Sequence, residues 1–450
     1  MSLFKRNEAL VLLLGDLFFF VISLWVTLFV RYGSLPNEEL FLTHLEPFAV
    51  LFLVWILVFY IAGLYEKHTV ILKNRLPQIL ARTQLTNSGL AVAFFYLVPY
   101  FGITPKTNLF LYLFISSAII LAWRMYGYFV LGRGPVNNAI LIGSGSEMRE
   151  LLNEVNNNKI YNLHFISSVD LNRADETGFW KEIVAKIYSE DVSVIAIDLA
   201  NENVEPVLPH LYNMIFANIR FIDMHKIYED IFDRVPLSLL RYNWFLENIS
   251  TTPRAAYDAM KRIMDITLSL LLFTLSLVIY PFVYIAIKLD DGGEIFITQE
   301  RVGEGNKPIR IYKFRTMSRN DQGEYENGER ANVVTEVGSF LRRSRIDELP
   351  QLFNVLKGDL SLIGPRPELP PLARRYAEEI SYYNVRHLIK PGLSGWAQIY
   401  HDTHPHHEVA TEETKNKLSY DLYYIKNRSF LLDVKIALRT LKTLISMAGR

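Results

Sequence analysis

The stretch IMDITLSLLLFTLSLVIYPFVYIAI, residues 263–287, decides how the chain is arranged. It stays apolar for longer than the roughly 20 residues a helix needs to cross a bilayer core, yet Tyr280-Pro281 lies well inside it. Proline lacks an amide hydrogen and clashes with the preceding turn, so a helix kinks there. Lys261, Arg262 and Asp265 precede or open the run, and Lys288, Asp290 and Asp291 follow it. A straight span would put the two halves of the chain on opposite sides of the membrane. A helix broken at Pro281 instead enters and leaves the same leaflet, provided that Ser276 or buried water satisfies the backbone groups freed near the break.

Towards the N-terminus four more apolar runs appear: Ala9–Val30, Pro47–Leu64, Gly89–Phe101 extended backward by Leu76–Leu85, and Leu109–Val130. The first and last are long enough to span alone; the middle two are marginal. The first is too long for a signal peptide and lacks a small-residue cleavage site, which predicts that it is retained. Lys5 and Arg6 precede the first run, and Lys67, Lys73, Arg75 and Arg82 follow the second. The other connections hold only Arg31 and Lys106. The positive-inside rule then puts the N-terminus, the second connection and everything after Val130 in the cytoplasm. Asp16 is unusual inside an apolar run; a hydrogen bond that packs helices explains it better than a functional role.

After the Gly132–Asn138 linker the pattern becomes α/β. Strand-like runs at Ala139–Ile142, His164–Val169, Val192–Leu199 and Ile219–Asp223 alternate with helical stretches, which predicts a covered parallel sheet. Gly143-Ser144-Gly145 offers two glycines of a dinucleotide fingerprint, but Met148 stands where the third belongs. The reading is a doubly wound domain whose tight turn needs glycine and binds nothing there. The fold class is therefore a membrane protein of α plus α/β type. Residues 1–131 form a four-helix transmembrane bundle, 139–250 a Rossmann-like domain, and 251–450 a mostly helical catalytic domain with a re-entrant helix at 263–287. Within that last part Leu349–Leu356 and Leu418–Ile425 read as amphipathic helices, and Leu431–Met447 as a basic one suited to a membrane surface.

Composition narrows the chemistry. The 47 Lys+Arg balance 47 Asp+Glu, so no overall basic field points to nucleic acid. There is no cysteine, which excludes disulfides, thiolate metal sites and cysteine nucleophiles. His401, His404, His406 and His407 crowd one loop, but Pro405 interrupts any ligand spacing, and a solvated loop is the better reading. The informative region is Arg342-Arg343-Ser344-Arg345-Ile346-Asp347-Glu348-Leu349-Pro350-Gln351. The arginines suit a bidentate clamp on phosphates. The two carboxylates suit a shared divalent cation, or a nucleophile that forms an acyl phosphate. Equally, both could cap a helix beginning at Leu349.

From about Thr252 onward the chain resembles the bacterial sugar transferases, monotopic polyprenyl-phosphate hexose-1-phosphate transferases. The matching elements are Lys261-Arg262-x-x-Asp265, the proline-broken helix, Lys313–Met317, Asp347-Glu348-Leu349-Pro350-Gln351 through Asp359, Gly364–Pro367, Pro391–Gln398 and Asp421–Asn427. The upstream part is similar to the larger members, which start O-antigen or exopolysaccharide synthesis. The resemblance implies transfer of a hexose-1-phosphate from a UDP-sugar to undecaprenyl phosphate, with release of UMP, at the bacterial inner membrane. It makes Asp347 the nucleophile of a ping-pong reaction and Glu348 the ligand of Mg²⁺. Arg301, Lys313, Arg315 and Arg366 become phosphate contacts and Gln398 a substrate contact. Membrane lipid and a second copy of the chain, as a homodimer, are the expected partners. The histidine loop departs from the family pattern. Two rivals stand beside this reading. Tyr257-x-x-x-Lys261 has the spacing of an NAD-dependent nucleotide-sugar dehydratase, and a non-catalytic assembly scaffold would need no acid pair.

Overall fold

The computed structural model describes residues 8–65, 76–97, 106–130, 136–158, 161, 163–173, 185–187, 189–212, 214, 219–250, 254–318, 333–400 and 411–445. They fall into two compact units: Met1–Ala139 with Leu152–Ser167 and Ile187–Val194, and Ile140–Leu151 with Ser168–Lys186 and Ile195–Arg450. The histidines of the 401–407 loop, and Lys5, Arg6, Lys67, Lys73 and Arg75, lie outside the described residues.

In the first unit the early apolar runs form helices α1 (Glu8–Tyr32), α2 (Glu38–Ile61), α3 (Leu76–Leu97) and α4 (Lys106–Val130). Helix α1 packs on α2 and α4, and α3 packs on the same two helices. Aromatic rings fill the centre: Phe20, Phe48, Phe52, Trp55, Phe59 and Tyr112 are all buried. Among the described residues, three helical stretches are long and apolar enough to cross a membrane, Leu10–Tyr32, Glu38–Ile61 and Asn108–Tyr126. Helix α3 is not among them. Thr83, Gln84 and Asn87 turn inward: Asn87 donates to Gln84 at 3.2 Å, and the Asn87 carbonyl accepts from the Trp55 indole at 3.1 Å. Large apolar side chains such as Leu53, Phe110 and Phe114 face outward, a surface suited to lipid. Asp16 has the packing role expected of it. Arg124 Nε donates to it at 3.0 Å, Tyr65 donates at 2.8 Å, and Arg124 also reaches the Leu64 carbonyl at 2.8 Å.

Strands β1 (Asn137–Gly143), β2 (Leu163–Asp170), β3 (Val192–Ile197) and β4 (Arg220–Asp223) form one sheet in the order β2-β1-β3-β4, and α5 (Gly145–Asn157) follows β1. At the glycine turn between β1 and α5, neighbouring side chains crowd Gly143 and Ser144. A Cβ on Gly143 would lie 2.8 Å from Met224 Sδ, and Asn201 donates to Ser144 at 2.9 Å. Side-chain packing therefore accounts for glycine at 143.

The 263–287 run becomes two helices, α6 (Ala255–Ser276) and α7 (Tyr280–Asp290), bent by 56°. The break falls at Leu277–Ile279, just before the proline, and Pro281 sits in the first turn of α7, where its missing amide costs nothing. Ser276 donates to the Phe273 carbonyl at 2.7 Å. Lys261, Arg262 and Asp265 clasp α6 to segments nearer the C-terminus. Lys261 reaches the Ile363 carbonyl at 2.9 Å and Asp433 at 3.0 Å. Arg262 reaches the carbonyls of Val355 and Leu356 at 2.7 and 2.8 Å, and Asp265 accepts from the Leu362 amide at 3.0 Å.

Next come the antiparallel hairpin β5 (Phe296–Val302) and β6 (Pro308–Phe314), then α8 (Glu336–Arg343) and α9 (Gln351–Lys357). The short parallel pair β7 (Ser361–Ile363) and β8 (Gly392–Ser394) brings two glycine-bearing loops together. Gly364 donates to the Ser394 carbonyl at 2.8 Å, and a Cβ on Gly392 would lie 2.1 Å from the Gly364 nitrogen. Helices α10 (Thr411–Asn427) and α11 (Phe430–Ile445) close the chain. Part of the basic face of α11 turns inward, Lys435 and Arg439 lying 4.9 and 5.7 Å from the Trp396 ring, while Leu431, Leu441 and Leu444 stay exposed.

A domain break near residue 250 does not coincide with a break in packing. Val235, Leu240 and Trp244 share one core with Val302, Tyr376, Tyr383, Leu418 and Leu422. The segment 235–249 thus packs on the C-terminal half.

Candidate active site

Asp347 and Glu348 lie on a single tight turn, Ile346–Glu348, reached through Arg345 in the left-handed conformation at φ +57°. A non-glycine residue held there costs roughly 1–3 kcal/mol, and the turn sets the acid pair before α9 begins. Neither carboxylate caps that helix: its N-cap is Pro350, with no side-chain bond. Capping therefore does not explain the pair.

Cations surround Glu348. Arg366 donates to its Oε1 at 2.7 Å, Arg345 lies 3.6 Å from the same oxygen and Lys313 3.9 Å. Burial opposes the charged form, but Arg366, Lys313 and Arg345 hold this carboxyl well below the usual range. Asp347 differs. It is 7% exposed, and its Oδ1 is buried with no hydrogen-bond partner among the described residues. Burial, and then the neighbouring Glu348 charge, push its carboxyl up to about 6. Burial also lowers Lys313, to about 8, with Arg366 and Arg301 acting in the same direction. Two neighbouring carboxylates are thus driven apart, one firmly ionised and one titrating near neutrality.

The cation-bearing strands and loops are themselves anchored. Asn354 bonds β6 twice, donating to the Arg310 carbonyl at 2.7 Å and accepting from the Tyr312 amide at 3.1 Å, next to Lys313. Arg386 is buried, pairs with Asp421 at 2.8 Å and donates to the Arg366 carbonyl at 3.1 Å. These supporting roles were not read from the sequence, although Asn354 and Asp421 lie in motifs that were.

Of the expected site residues, Asp347, Glu348, Lys313 and Arg366 come together. Arg301 stands near enough to act on Lys313 and donates to Gln299 at 2.6 Å. Arg315 goes elsewhere: it pairs with Asp291 and donates to the carbonyls of Met317 and Ser318, both at 2.8 Å. Gln398, on the short helix Trp396–Tyr400, has a buried Oε1 without a described partner, and no described bond joins it to the acid pair. Tyr257 and Lys261, the dehydratase-like spacing, both bond Asp433 at 3.0 Å and serve packing.

The site's donors bear on a metal. No group of three or more metal-ligating side chains occurs among the described residues. However, the three cations approach Oε1 of Glu348, and Asp347 Oδ1 is buried without a described partner. One or two carboxylate oxygens completed by phosphate and water is the set Mg²⁺ favours, so the residues fit that ion.

Fold and site together mark a membrane-associated protein with an acid pair set in a ring of cations. The chain belongs to the bacterial sugar transferase family, whose model matches residues 256–447. The UDP-N-acetylgalactosamine-undecaprenyl-phosphate N-acetylgalactosaminephosphotransferase of Aeromonas hydrophila is 39% identical over 235 residues, 52% of this chain and 54% of that protein. The undecaprenyl-phosphate glucose phosphotransferase of Komagataeibacter xylinus is 29% identical over 364 residues, 76% of this chain and 66% of that protein. A UDP-glucose:undecaprenyl-phosphate glucose-1-phosphate transferase of Caulobacter vibrioides is 38% identical over 196 residues, 43% of this chain and 73% of that protein. The chain spans about half the length of the first of these relatives and just under two thirds of the second.

Proposed function

We propose that the protein transfers a hexose-1-phosphate from a UDP-sugar to undecaprenyl phosphate, releasing UMP and leaving a lipid diphosphate sugar. The observation that carries this reading is the unpartnered, buried Asp347 beside a Glu348 ringed by Arg366, Arg345 and Lys313. A carboxylate is a weak nucleophile, and its attack on a phosphate needs the phosphate charge neutralised. Here Lys313, Arg345 and Arg366 are the groups to do so, with Arg301 behind them. Asp347 attacks the phosphorus next to the sugar, and the bond to the UMP oxygen breaks. The lipid phosphate then attacks the phosphosugar on Asp347 and releases the carboxylate. Glu348 is the residue to hold Mg²⁺, which when bound supplies further charge neutralisation on the diphosphate. Arg315 is reassigned to fixing the loop at Asp291, and Gln398 is kept as a substrate contact.

The bent pair α6–α7 supports a re-entrant helix with both ends on the cytoplasmic face of the inner membrane, where UDP-sugars are found. The upstream helices, as a four-helix transmembrane bundle, and the Rossmann-like domain from 139 are assigned to assembly, regulation or homodimer formation. The test is UMP release from a panel of UDP-sugars with undecaprenyl phosphate and Mg²⁺. Release from one or a few sugars is expected, abolished in Asp347→Asn. A well-folded protein that releases UMP from none would favour the scaffold.

A further inference from the structure

The turn that carries the acid pair runs directly into α9, so that Gln351 stands one helical turn beyond both carboxylates, three residues after Glu348 and four after Asp347. Residues at these spacings share a face. Gln351 is 4% exposed, and its Nε2 is buried with no hydrogen-bond partner among the described residues. It is the same condition as that of Asp347 Oδ1, with the polarity reversed: an unpaired acceptor and, one turn on, an unpaired donor. A buried amide that donates to nothing is costly and is rare in native proteins, so a partner from outside the chain is called for. A ligand meeting Asp347 from the face it shares with Gln351 would bring an acceptor to this amide. Lys313, Arg366 and Arg345 already act on Asp347, and a neutral donor adds direction rather than more charge.

We infer that Gln351 is a substrate-contacting residue whose side-chain amide donates to a non-bridging oxygen of the phosphate that Asp347 attacks. The inference rests on the transferase reading above and extends it by one residue. An oxygen on that phosphorus gains negative charge as Asp347 bonds to it, so the amide stabilises the transition state more than bound substrate. Loss of the amide then lowers the rate of UMP release with little change in the affinity for UDP-sugar.

The test uses full-length protein in detergent and the variant Gln351→Met. Methionine has nearly the same length and bulk and no amide, so it preserves packing while removing the donor together with the amide oxygen. UMP release from UDP-glucose and UDP-N-acetylgalactosamine is followed with and without undecaprenyl phosphate, alongside a thermal melt. The expected result is at least a tenfold fall in the rate of UMP release, a KM within about twofold, and a melting temperature no lower than that of the unaltered protein. Gln351→Asn, which keeps an amide on a shorter arm, should recover part of the rate. If Gln351→Met releases UMP at the unaltered rate, the amide has only a packing or water-binding role and the inference is overturned alone. If the unaltered protein releases no UMP from any UDP-sugar, the transferase reading fails and this assignment falls with it.

Discussion

At the scale of single residues, Asp347 and Lys313 set a pH window. Asp347 reacts only as the carboxylate, so UMP release should rise as pH increases through about 6. Lys313 neutralises phosphate only while protonated, so release should fall as pH passes about 8. A bell-shaped profile of kcat/KM is the expected result. Glu348→Gln removes one of the two causes that raise Asp347 and frees Arg366 and Lys313 to act on it. The acid limb should therefore move to lower pH even as most of the rate is lost. An acid limb that stays near 6 in this variant would mean that another group titrates there. Asp347, Glu348, Lys313 and Arg366 were legible in the sequence because acid pairs and arginines in short motifs limit the chemistry. Arg315 was not. A guanidinium reaches far from its own backbone, and only the fold shows that Asp291 takes it. Arg345 was visible as one more arginine, but its left-handed backbone and its 3.6 Å approach to Glu348 were not.

At the scale of elements, the bent pair is the feature most open to test. Its residue pattern marked the break, but not its place: Pro281 fixes the start of α7, and the turn Leu277–Ile279 absorbs the bend. Single cysteines at the exposed Met260 and Leu289 are free of background, since the chain has none. A re-entrant pair predicts labelling of both from one side of the membrane; labelling from opposite sides means a span. Pro281→Ala should restore a helix-competent residue, straighten the pair and lower activity. The clasp on α6 carries its own expectation. Asp265→Ala leaves the Leu362 amide unpaired, so stability should drop by about 1–3 kcal/mol, read as a lower melting temperature. The motif Lys261-Arg262-x-x-Asp265 was visible as a pattern, but its partners lie about a hundred or more residues away in sequence, out of reach of any local signal.

At the scale of the whole molecule, the second unit joins part of the α/β region to the transferase half. Chemical motifs alone place the catalytic part after Thr252. Val235, Leu240 and Trp244 nonetheless pack into its core, buried against β5 and α10. Their apolar character was readable; which partner they meet was not, since a leucine looks the same in either core. Trp244→Ala should cost about 3–5 kcal/mol. A chain beginning at 251 should unfold at lower temperature, and lose more activity, than one beginning near Asp233. Equal melting temperatures for the two would show that the upstream segment merely rests on the surface. The three long apolar helices and the strand–helix alternation were legible because length and periodicity are local properties. The inward-facing polar side of α3 was not, because it depends on Trp55.

The central claim is that Asp347 becomes covalently phosphorylated by the sugar phosphate. The most direct measurement is the intact mass of the protein after incubation with UDP-sugar and Mg²⁺ but no lipid. The expected result is UMP release up to one per active site, a mass increase of one sugar phosphate, localisation of the adduct to Asp347, and no adduct in Asp347→Asn. UMP that appears only when undecaprenyl phosphate is present, with no adduct trapped under any condition, would contradict it and point to direct transfer between two bound substrates.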